Sequence, residues 1–586
     1  MKKIAGLLSF KEYMYMLICV FLIVGQVFFE IKIPNVMGEL TDLIYSGNVD
    51  VFKQISYGIT MFTYAAASLV FSFLVAFLVA KVGAALDSKV RKATFTKIMD
   101  FSLKEVGDFG TSSLIARCTA DIYQIQTFFV NGFQLLIKSP VMIIWVTVQI
   151  SSVNVYYRSA TITAVAILVA VLSAVAILVL PIVNKAQYAK DELIRIDREH
   201  LDGIRVVHAY NGYEKQKERF EEANERITSL LLRYDKSSAL FAPFSNMVMY
   251  SLTVIIYIIG AHIVADSDES LRAGVSNEMI VFVSMLSMLI SSCIYLILVM
   301  VLLPSACVSF KRIAQVLNKK IEIIDPEKAA AKDPGIHGSL EFRNVSFMYP
   351  GSREYAIKDI SFKMEKGETV AIVGGTGSGK TTLINLIPRL YEVAEGQILV
   401  DGVDIKKMKL KELRNILGYV PQKSFLFAGT IVSNISFGDN GKLKQTLEEI
   451  VKAARLGKAD EFIRTKQGGY DAVVEEGGSN FSGGQKQRLT ISRAICRDPE
   501  IFIFDDSFSA LDYKTDKTVR EGLRQTLSGT SILMVAQRIS TIKSADKILV
   551  LDNGKMVGMG TNDELMTSCD VYREIVLSQT DTEATG

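Results

Sequence analysis

The chain has 586 residues and a mass of 64.8 kDa, enough for about four domain-equivalents at roughly 150 residues each. Its 49% apolar content, mean hydropathy of +0.28 and 22% charged residues exclude a disordered or purely nucleic-acid-binding protein. The 65 Lys+Arg nearly balance 62 Asp+Glu, so no global field steers polyanions toward it, and no imidazole follows His337, the last of only 4 His.

From the N-terminus, Met1-Lys2-Lys3 and the apolar run from Tyr13 resemble a secretory signal at first sight. The run is too long for a signal core and no small-residue cleavage site follows, so it is read as a first membrane span. Apolar stretches near the ~20-residue spanning length occur at 13–37, 55–80, 134–153, 159–183, 243–265 and 279–303. The segments between them at 38–54, 152–160 and 266–278 carry one basic residue each (Lys53, Arg158, Arg272), against seven in 81–133 and eleven in 184–241. Lys/Arg asymmetry therefore puts the two long segments and both termini in the cytoplasm. Those segments are rich in Glu, Lys and Arg, so spans 2 to 5 are predicted to continue as solvated helices, with turns at Gly107-Asp108-Phe109-Gly110 and Asn211-Gly212. The six scattered cysteines form no C-x-x-C pair or Cys/His cluster, which argues against a disulfide framework or a metal site of that kind.

The membrane-helical domain is assigned to 1–320 and a linker to 321–338, where Asp325-Pro326 and Asp333-Pro334-Gly335 break regular structure. From 339 to 586, short β-branched runs (Thr369 to Val373, Gln397 to Val400, Ile501 to Phe504, Ile532 to Val535) alternate with amphipathic helical stretches. That pattern predicts an α/β domain with a largely parallel sheet.

Within it, Gly374-Gly375-Thr376-Gly377-Ser378-Gly379-Lys380-Thr381 matches G-x-x-x-x-G-K-[ST], with a strand before it and a helical run after it, and these residues with Thr382 are candidates for binding ATP. Glycines let backbone N–H groups close around phosphate oxygens, Lys380 reaches the β/γ-phosphates, and the Thr381 hydroxyl ligates Mg²⁺. Ile501 to Phe504 is an apolar strand ending in the carboxylate of Asp505, which suits Mg²⁺ binding through water. Upstream stands Phe481-Ser482-Gly483-Gly484-Gln485.

With these motifs the chain resembles the ATP-binding cassette family, specifically its B-type exporters, over essentially its whole length. Ser482 to Gln485 match the family's signature loop, Gln422 the Q-loop, Tyr349 the aromatic that stacks on adenine, and Ser509-Ala510-Leu511-Asp512 the D-loop. The stretches Leu201 to Tyr210 and Gly110 to Arg117 look like those beside the two coupling helices of such exporters. The resemblance implies ATP and Mg²⁺ as ligands, with Thr381, Gln422 and Asp505 around the metal. It also implies a bacterial cell-membrane location and head-to-tail pairing of two cassettes, so that each ATP lies between one chain's Gly-rich loop and the other's signature.

Two positions depart from the family. Where it has Glu after the strand-end Asp, this chain has Asp506, whose arm is one methylene shorter. Where it has a switch His, 31 residues on, this chain has Gln537, an amide that cannot carry a positive charge. The expectation is a degenerate site that binds ATP and hydrolyses it slowly, in a chain resembling the non-catalytic half of bacterial heterodimeric exporters. The partner would then be a second half-transporter with Glu and His intact. The alternatives are a homodimeric slow exporter and a nucleotide-gated channel.

The transport half is less specific. Glu30 and Lys32 read as lying toward the outer end of span 1, and Lys138 as lying in the inner part of span 3. They are either interfacial, snorkelling or structurally paired, or they line a substrate cavity. Met249, Tyr257, Met288 and Tyr295 suit adaptable apolar binding as well as helix packing. No peptidase-like domain is read before span 1 and no external solute-binding domain is read, which predicts export of an amphipathic or drug-like solute, lipid or peptide. No nucleic-acid partner is expected.

Overall fold

The computed structural model describes residues 4, 6–45, 50–151, 155–239, 241–266, 272–330, 335, 337–442, 445–509, 511–526 and 529–584. The chain divides into two compact units, Met1–Met99 with Thr111–Lys319, and Asp100–Gly110 with Lys320–Gly586.

In chain order the long helices of the first half are α1 (Phe10–Tyr45) and α2 (Val51–Met99). Short α3 (Leu103–Phe109), which belongs to the second unit, is followed by α4 (Thr111–Cys118) and α5 (Ala120–Thr127). A π-helical turn at Phe128–Gly132 leads into α6 (Phe133–Ser151), then α7 (Val155–Asp202), α8 (Ile204–Ala209), α9 (Tyr213–Ala239), α10 (Phe241–Asp266) and α11 (Arg272–Asn318). All six expected spans fall on helices, because a helix satisfies its own backbone groups where no water is available. Among the described residues Phe10–Ile44, Val51–Met99, Thr111–Ile150 and Asn277–Asn318 are long and apolar enough to cross a membrane, and Asn246–His262 is a shorter apolar helix. The expected span at 159–183 lies in α7, where most side chains are outside the described residues.

Two kinds of surface serve these helices. Val27 and Ile31 of α1, Met142 and Val146 of α6, Ile256 of α10 and Leu286 and Leu289 of α11 form one buried cluster. Phe62, Leu69 and Phe73 of α2 are exposed, an apolar face suited to lipid. Hydroxyls inside the spans turn back on their own helix: Thr253 Oγ1 donates to the Met249 carbonyl (2.9 Å) and Ser292 Oγ to that of Met288 (2.8 Å), so no partner on another helix is required.

Beyond the apolar stretches α2 and α7 continue without a break, as their composition predicts. The turn at Asn211 is made by a left-handed backbone (φ +50°). The other expected turn is shorter than predicted. Gly107 to Phe109 are helical, because Ser102 and Glu105 cap α3 reciprocally and start it early; the chain turns only at Gly110, φ +76°.

The second unit is built on two sheets. A six-stranded sheet runs in the order β12-β11-β3-β10-β9-β6, and a four-stranded antiparallel sheet in the order β2-β1-β4-β5. The strands are β1 (Leu340–Phe347), β2 (Ile357–Met364), β3 (Thr369–Gly374), β4 (Glu395–Val400), β5 (Val403–Asp404), β6 (Leu417–Val420), β7 (Gly429–Thr430), β8 (Val473–Val474), β9 (Ile501–Asp505), β10 (Ser531–Val535), β11 (Lys547–Asp552) and β12 (Lys555–Gly560). Three of the four predicted runs enter the large sheet, which is parallel except at its β12 edge. The fourth, Gln397 to Val400, pairs antiparallel with β1 instead. Its strand begins exposed at Glu395 and is buried only from Ile398 onward, so this sheet is covered less evenly than the central one.

The central strands are apolar without alternation because both faces are covered. Ala371, Val373, Phe502, Phe504, Ile532 and Met534 enter one core, and Val370, Ile372, Ile501, Ile503, Leu533 and Val535 enter the other. Fixing β3, β9 and β10 side by side brings the residues after their carboxyl ends to one edge, where ligands of open parallel sheets bind.

Candidate nucleotide site

At that edge β3 delivers the glycine-rich loop to helix α12 (Lys380–Leu386). Gly379 caps the helix with φ +94°, and a Cβ there would lie 2.8 Å from the Ala356 carbonyl; Gly374 is closer still, 2.2 Å from the Leu551 carbonyl. A Cβ at Gly375 or Gly377 would meet nothing within 4 Å, so neither glycine is set by a close neighbour. Lys380 Nζ bridges the carbonyls of Gly374 (2.8 Å) and Gly375 (2.6 Å) and lies 3.3 Å from Ser378 Oγ. Burial holds its pKa down, while the carboxylates of Asp506 and Asp505 act in the opposite sense. This is a cationic end held over a loop of backbone donors, the arrangement that accepts phosphate oxygens.

Thr381 Oγ1 donates to Asp505 Oδ1 at 3.0 Å. A hydroxyl and a buried carboxylate in contact are suitable oxygen ligands for Mg²⁺, either directly or through water. Burial raises the Asp505 pKa, with neighbouring Asp506 adding to the rise. A divalent ion would reverse that unfavourable desolvation, so these residues fit the implied metal. Tyr349, placed after β1, shares a hydrogen bond with Thr382 Oγ1 (2.9 Å) and meets Tyr391 edge-on. Thr376 sits exposed at the loop's tip.

Asp506 follows β9 with φ +47°, a left-handed conformation that Asp tolerates better than most residues. Its N–H donates to the Val535 carbonyl (3.0 Å), which fixes it across β10. Its Oδ2 accepts from Gln537 Nε2 at 2.8 Å and, more weakly, from Gln422 Nε2 at 3.4 Å. The two residues that depart from the family pattern therefore bond each other. Burial pushes the Asp506 pKa up; the hydrogen bonds pull it the other way.

The signature residues are built separately. Ser482 caps helix α13 (Gly483–Cys496): its Oγ accepts from Gln485 N (3.4 Å) and Gln485 Oε1 accepts from Ser482 N (3.1 Å). This reciprocal cap leaves the N–H groups of Gly483 and Gly484 at the helix's positive end. Phe481 is buried against Phe462, with Lys466 Nζ 4.1 Å over its ring. Among the described residues, none of Phe481 to Gln485 hydrogen-bonds to the Gly374–Thr381 loop. Asp512 caps helix α14 (Tyr513–Thr526) by accepting from Thr515 N (2.9 Å) and Oγ1 (2.7 Å); Ala510 lies outside the described residues.

The family profile described as ABC transporter matches residues 357–509, and the profile described as ABC transporter transmembrane region matches 16–293. The chain is an ABC transporter. An uncharacterized ABC transporter ATP-binding protein of Mycobacterium tuberculosis is 33% identical over 553 residues, 94% of this chain and 93% of the relative. An ATP-dependent lipid A-core flippase of Pseudomonas fluorescens is 30% identical over 511 residues, covering 86% and 82%. In fold the transporter is similar to a bacterial Atm1-family ABC exporter with ATP bound, with a TM-score of 0.83 and 22% identity, covering 97% and 99% of the two chains. One membrane-helical half followed by one cassette makes it a half-transporter, and ABC transporters of this build work as dimers.

The transporter's site also uses residues that carry no sequence signal. Gln579, on the last helix (Asp570–Ala584), donates from Nε2 to the Gln537 carbonyl (2.6 Å) and accepts from Ile539 N (2.8 Å), clamping the switch residue from behind. Arg493 of α13 reaches the Phe425 carbonyl (3.0 Å) and Asn434 Oδ1 (2.9 Å), and burial lowers its pKa to about 10. With the Ser424 Oγ to Gln487 Oε1 bond, it ties the segment after Gln422 to the signature helix.

In the membrane half, Met249 and Met288 pack against the buried cluster of α1, α6, α10 and α11, whereas Tyr257 and Tyr295 are exposed. Lys32 lies 5.6 Å over the Phe28 ring. Lys138 Nζ is 2.8 Å from Glu30 Oε1, so the expectation that these two residues lie toward opposite ends of their spans is corrected. Glu30 and Lys138 therefore lie at one level of their helices, in the structural pairing that the sequence reading named for Lys138.

Proposed function

We propose that this ABC transporter chain is one subunit of a heterodimeric exporter, with its own ATP site kept for binding and its signature loop completing the partner's hydrolytic site. The observation that carries the reading is the 2.8 Å bond from the Gln537 amide to Asp506. A carboxylate that must orient and deprotonate water is here on a shortened arm and engaged by a neutral donor. A displacement of about 1 Å at such a position costs on the order of 10²-fold in rate. Gln537, in turn, brings no positive charge to a γ-phosphate. Lys380, Thr381, Thr382, Gln422, Asp505 and Tyr349 keep the groups that hold Mg²⁺ and ATP, and Ser482, Gly483, Gly484, Gln485 and Asp512 keep those offered to the partner's nucleotide.

In this reading 1–320 is the membrane domain, 321–338 the linker and 339–586 the cassette. We assign Lys138, Met249, Tyr257, Met288 and Tyr295 to the pathway of an amphipathic or drug-like solute, lipid or peptide leaving the cytoplasm or inner leaflet, with Met249 and Met288 forming part of its packed wall. The deciding experiment compares phosphate release by the purified chain alone with that of the complex it forms with a second half-transporter. The expected result is at least tenfold slower hydrolysis by the chain alone. Equal rates would sink the heterodimer reading.

A further inference from the structure

The α1, α2 and α6 helices meet around a polar cluster inside the membrane half. Three donors converge on one oxygen: Glu30 Oε1 accepts from Lys138 Nζ (2.8 Å), Gln26 Nε2 (2.9 Å) and Ser68 Oγ (3.3 Å). That crowding leaves the rest of the cluster unused. The second carboxylate oxygen of Glu30 and the remaining protons of Lys138 make no described hydrogen bond, and Gln26 Oε1 is a buried acceptor without a partner on a side chain only 3% exposed. The pair keeps access from outside, since the Lys138 and Glu30 side chains are 19% and 21% exposed.

A cluster assembled only to fasten three helices would spread its donors over both carboxylate oxygens, because unsatisfied polar groups are costly away from water. Here the unused groups are complementary in kind. Acceptors remain on Glu30 and Gln26, and ammonium protons remain on Lys138, a few ångströms away. We propose that Gln26, Glu30, Ser68 and Lys138 form a headgroup subsite for a zwitterionic amphiphile, one bearing an N–H cation close to a phosphate or carboxylate. The cation binds Glu30 and Gln26, and the anion binds Lys138. The seam beside the cluster is apolar, which suits the rest of such a molecule: Trp145, two helical turns along the same face from Lys138, meets Phe28 of α1 at 5.8 Å. This inference rests on the transporter reading for its substrate class but not on the heterodimer or the degenerate site.

The chain carries one Trp, Trp145, so its tryptophan fluorescence reports on the α1–α6 seam two helical turns from Lys138. The test titrates the full chain in lipid vesicles, without nucleotide, with lysophosphatidylethanolamine, lysophosphatidylcholine, lysophosphatidic acid and dodecylamine, following Trp145. Lysophosphatidylethanolamine is expected to bind at least tenfold tighter than the three probes lacking either an N–H cation or an anion. In the double variant E30Q/K138M, which removes both charges at similar volume, that preference is expected to vanish while the protein stays monodisperse. O-phosphoethanolamine separates the sources: binding as tight as that of the acylated probe points to a soluble zwitterion, and weaker binding points to a lipid. Equal binding of all four amphiphiles by the wild-type chain overturns the proposal, and so does an unchanged preference in E30Q/K138M. Because no ATP is present, either outcome leaves the hydrolysis comparison untouched.

Discussion

The amino end of helix α13 and the carboxyl end of strand β9 belong to one cassette, yet they are built to different specifications. At α13 every group has the role its position requires: Ser482 and Gln485 cap each other, and two glycines leave their N–H groups unobstructed. At β9 the side chains that would do chemistry are turned on one another, with Asp506 receiving the amides of Gln537 and Gln422. Under the function proposed above, the difference makes binding and splitting a nucleotide separable demands on this fold. Binding needs backbone donors, a Lys and a metal-holding pair, and all are present. Splitting needs one carboxylate at a particular reach.

That contrast is broken most sharply at the signature. Gly483→Asp puts a negative charge where backbone N–H groups face outward, and a Cβ at Gly483 meets nothing within 4 Å in this chain, so the fold itself has no objection to a side chain there. In the complex, phosphate release is expected to fall by at least tenfold, and by on the order of 10²-fold if these donors act as an oxyanion-type clamp. Ser482→Arg is expected to do the same. Next in size is the reciprocal gain: D506E/Q537H in the purified chain should raise its own hydrolysis by tenfold or more, since it restores reach and a charged donor together. Lys380→Ala should weaken binding of a fluorescent ATP analogue to the chain alone by about tenfold through loss of the phosphate cation. Asp506→Asn in the complex should change turnover by less than about twofold. A loss equal to that of Gly483→Asp would remove the asymmetry.

How far the sequence reaches follows from where each property resides. The glycine-rich loop was legible because its chemistry needs fixed residue types at fixed spacing, and the central strands because burial on both faces leaves continuous apolar runs such as Ile501 to Phe504. The strand Gln397 to Val400 reads the same way locally, and only its pairing with β1 excludes it from the parallel sheet. The bond between Asp506 and Gln537 was out of reach because it joins residues that follow two neighbouring strands, through side-chain rotamers. Gln579 was equally hidden, as a lone Gln on an amphipathic helix has no pattern. Glu30 and Lys138, 108 residues apart, meet only because α1 and α6 pack together, which no local pattern encodes.

The smallest expected effect tests the physical cause of the contrast rather than its consequence. Burial raises the Asp506 pKa in the folded chain above the ~3.9 of an unfolded Asp. Between those two values the folded state binds more protons than the unfolded one, so stability falls as pH rises through that window. Above the raised folded pKa the loss is complete. An asparagine at this position keeps an acceptor for the Gln537 amide and cannot ionise. The full-length variant Asp506→Asn should therefore melt a few degrees higher than wild type at pH 7 to 8, each kcal/mol removed being worth about 2–4 °C for a domain of this size. The gain should shrink as pH is lowered through that window and Asp506 of the folded chain takes up its proton. A gain independent of pH would mean that shape, not charge, sets the cost of this carboxylate. A loss at every pH would mean that its hydrogen bonds outweigh its desolvation, and that the base position is better kept than the contrast with α13 implies.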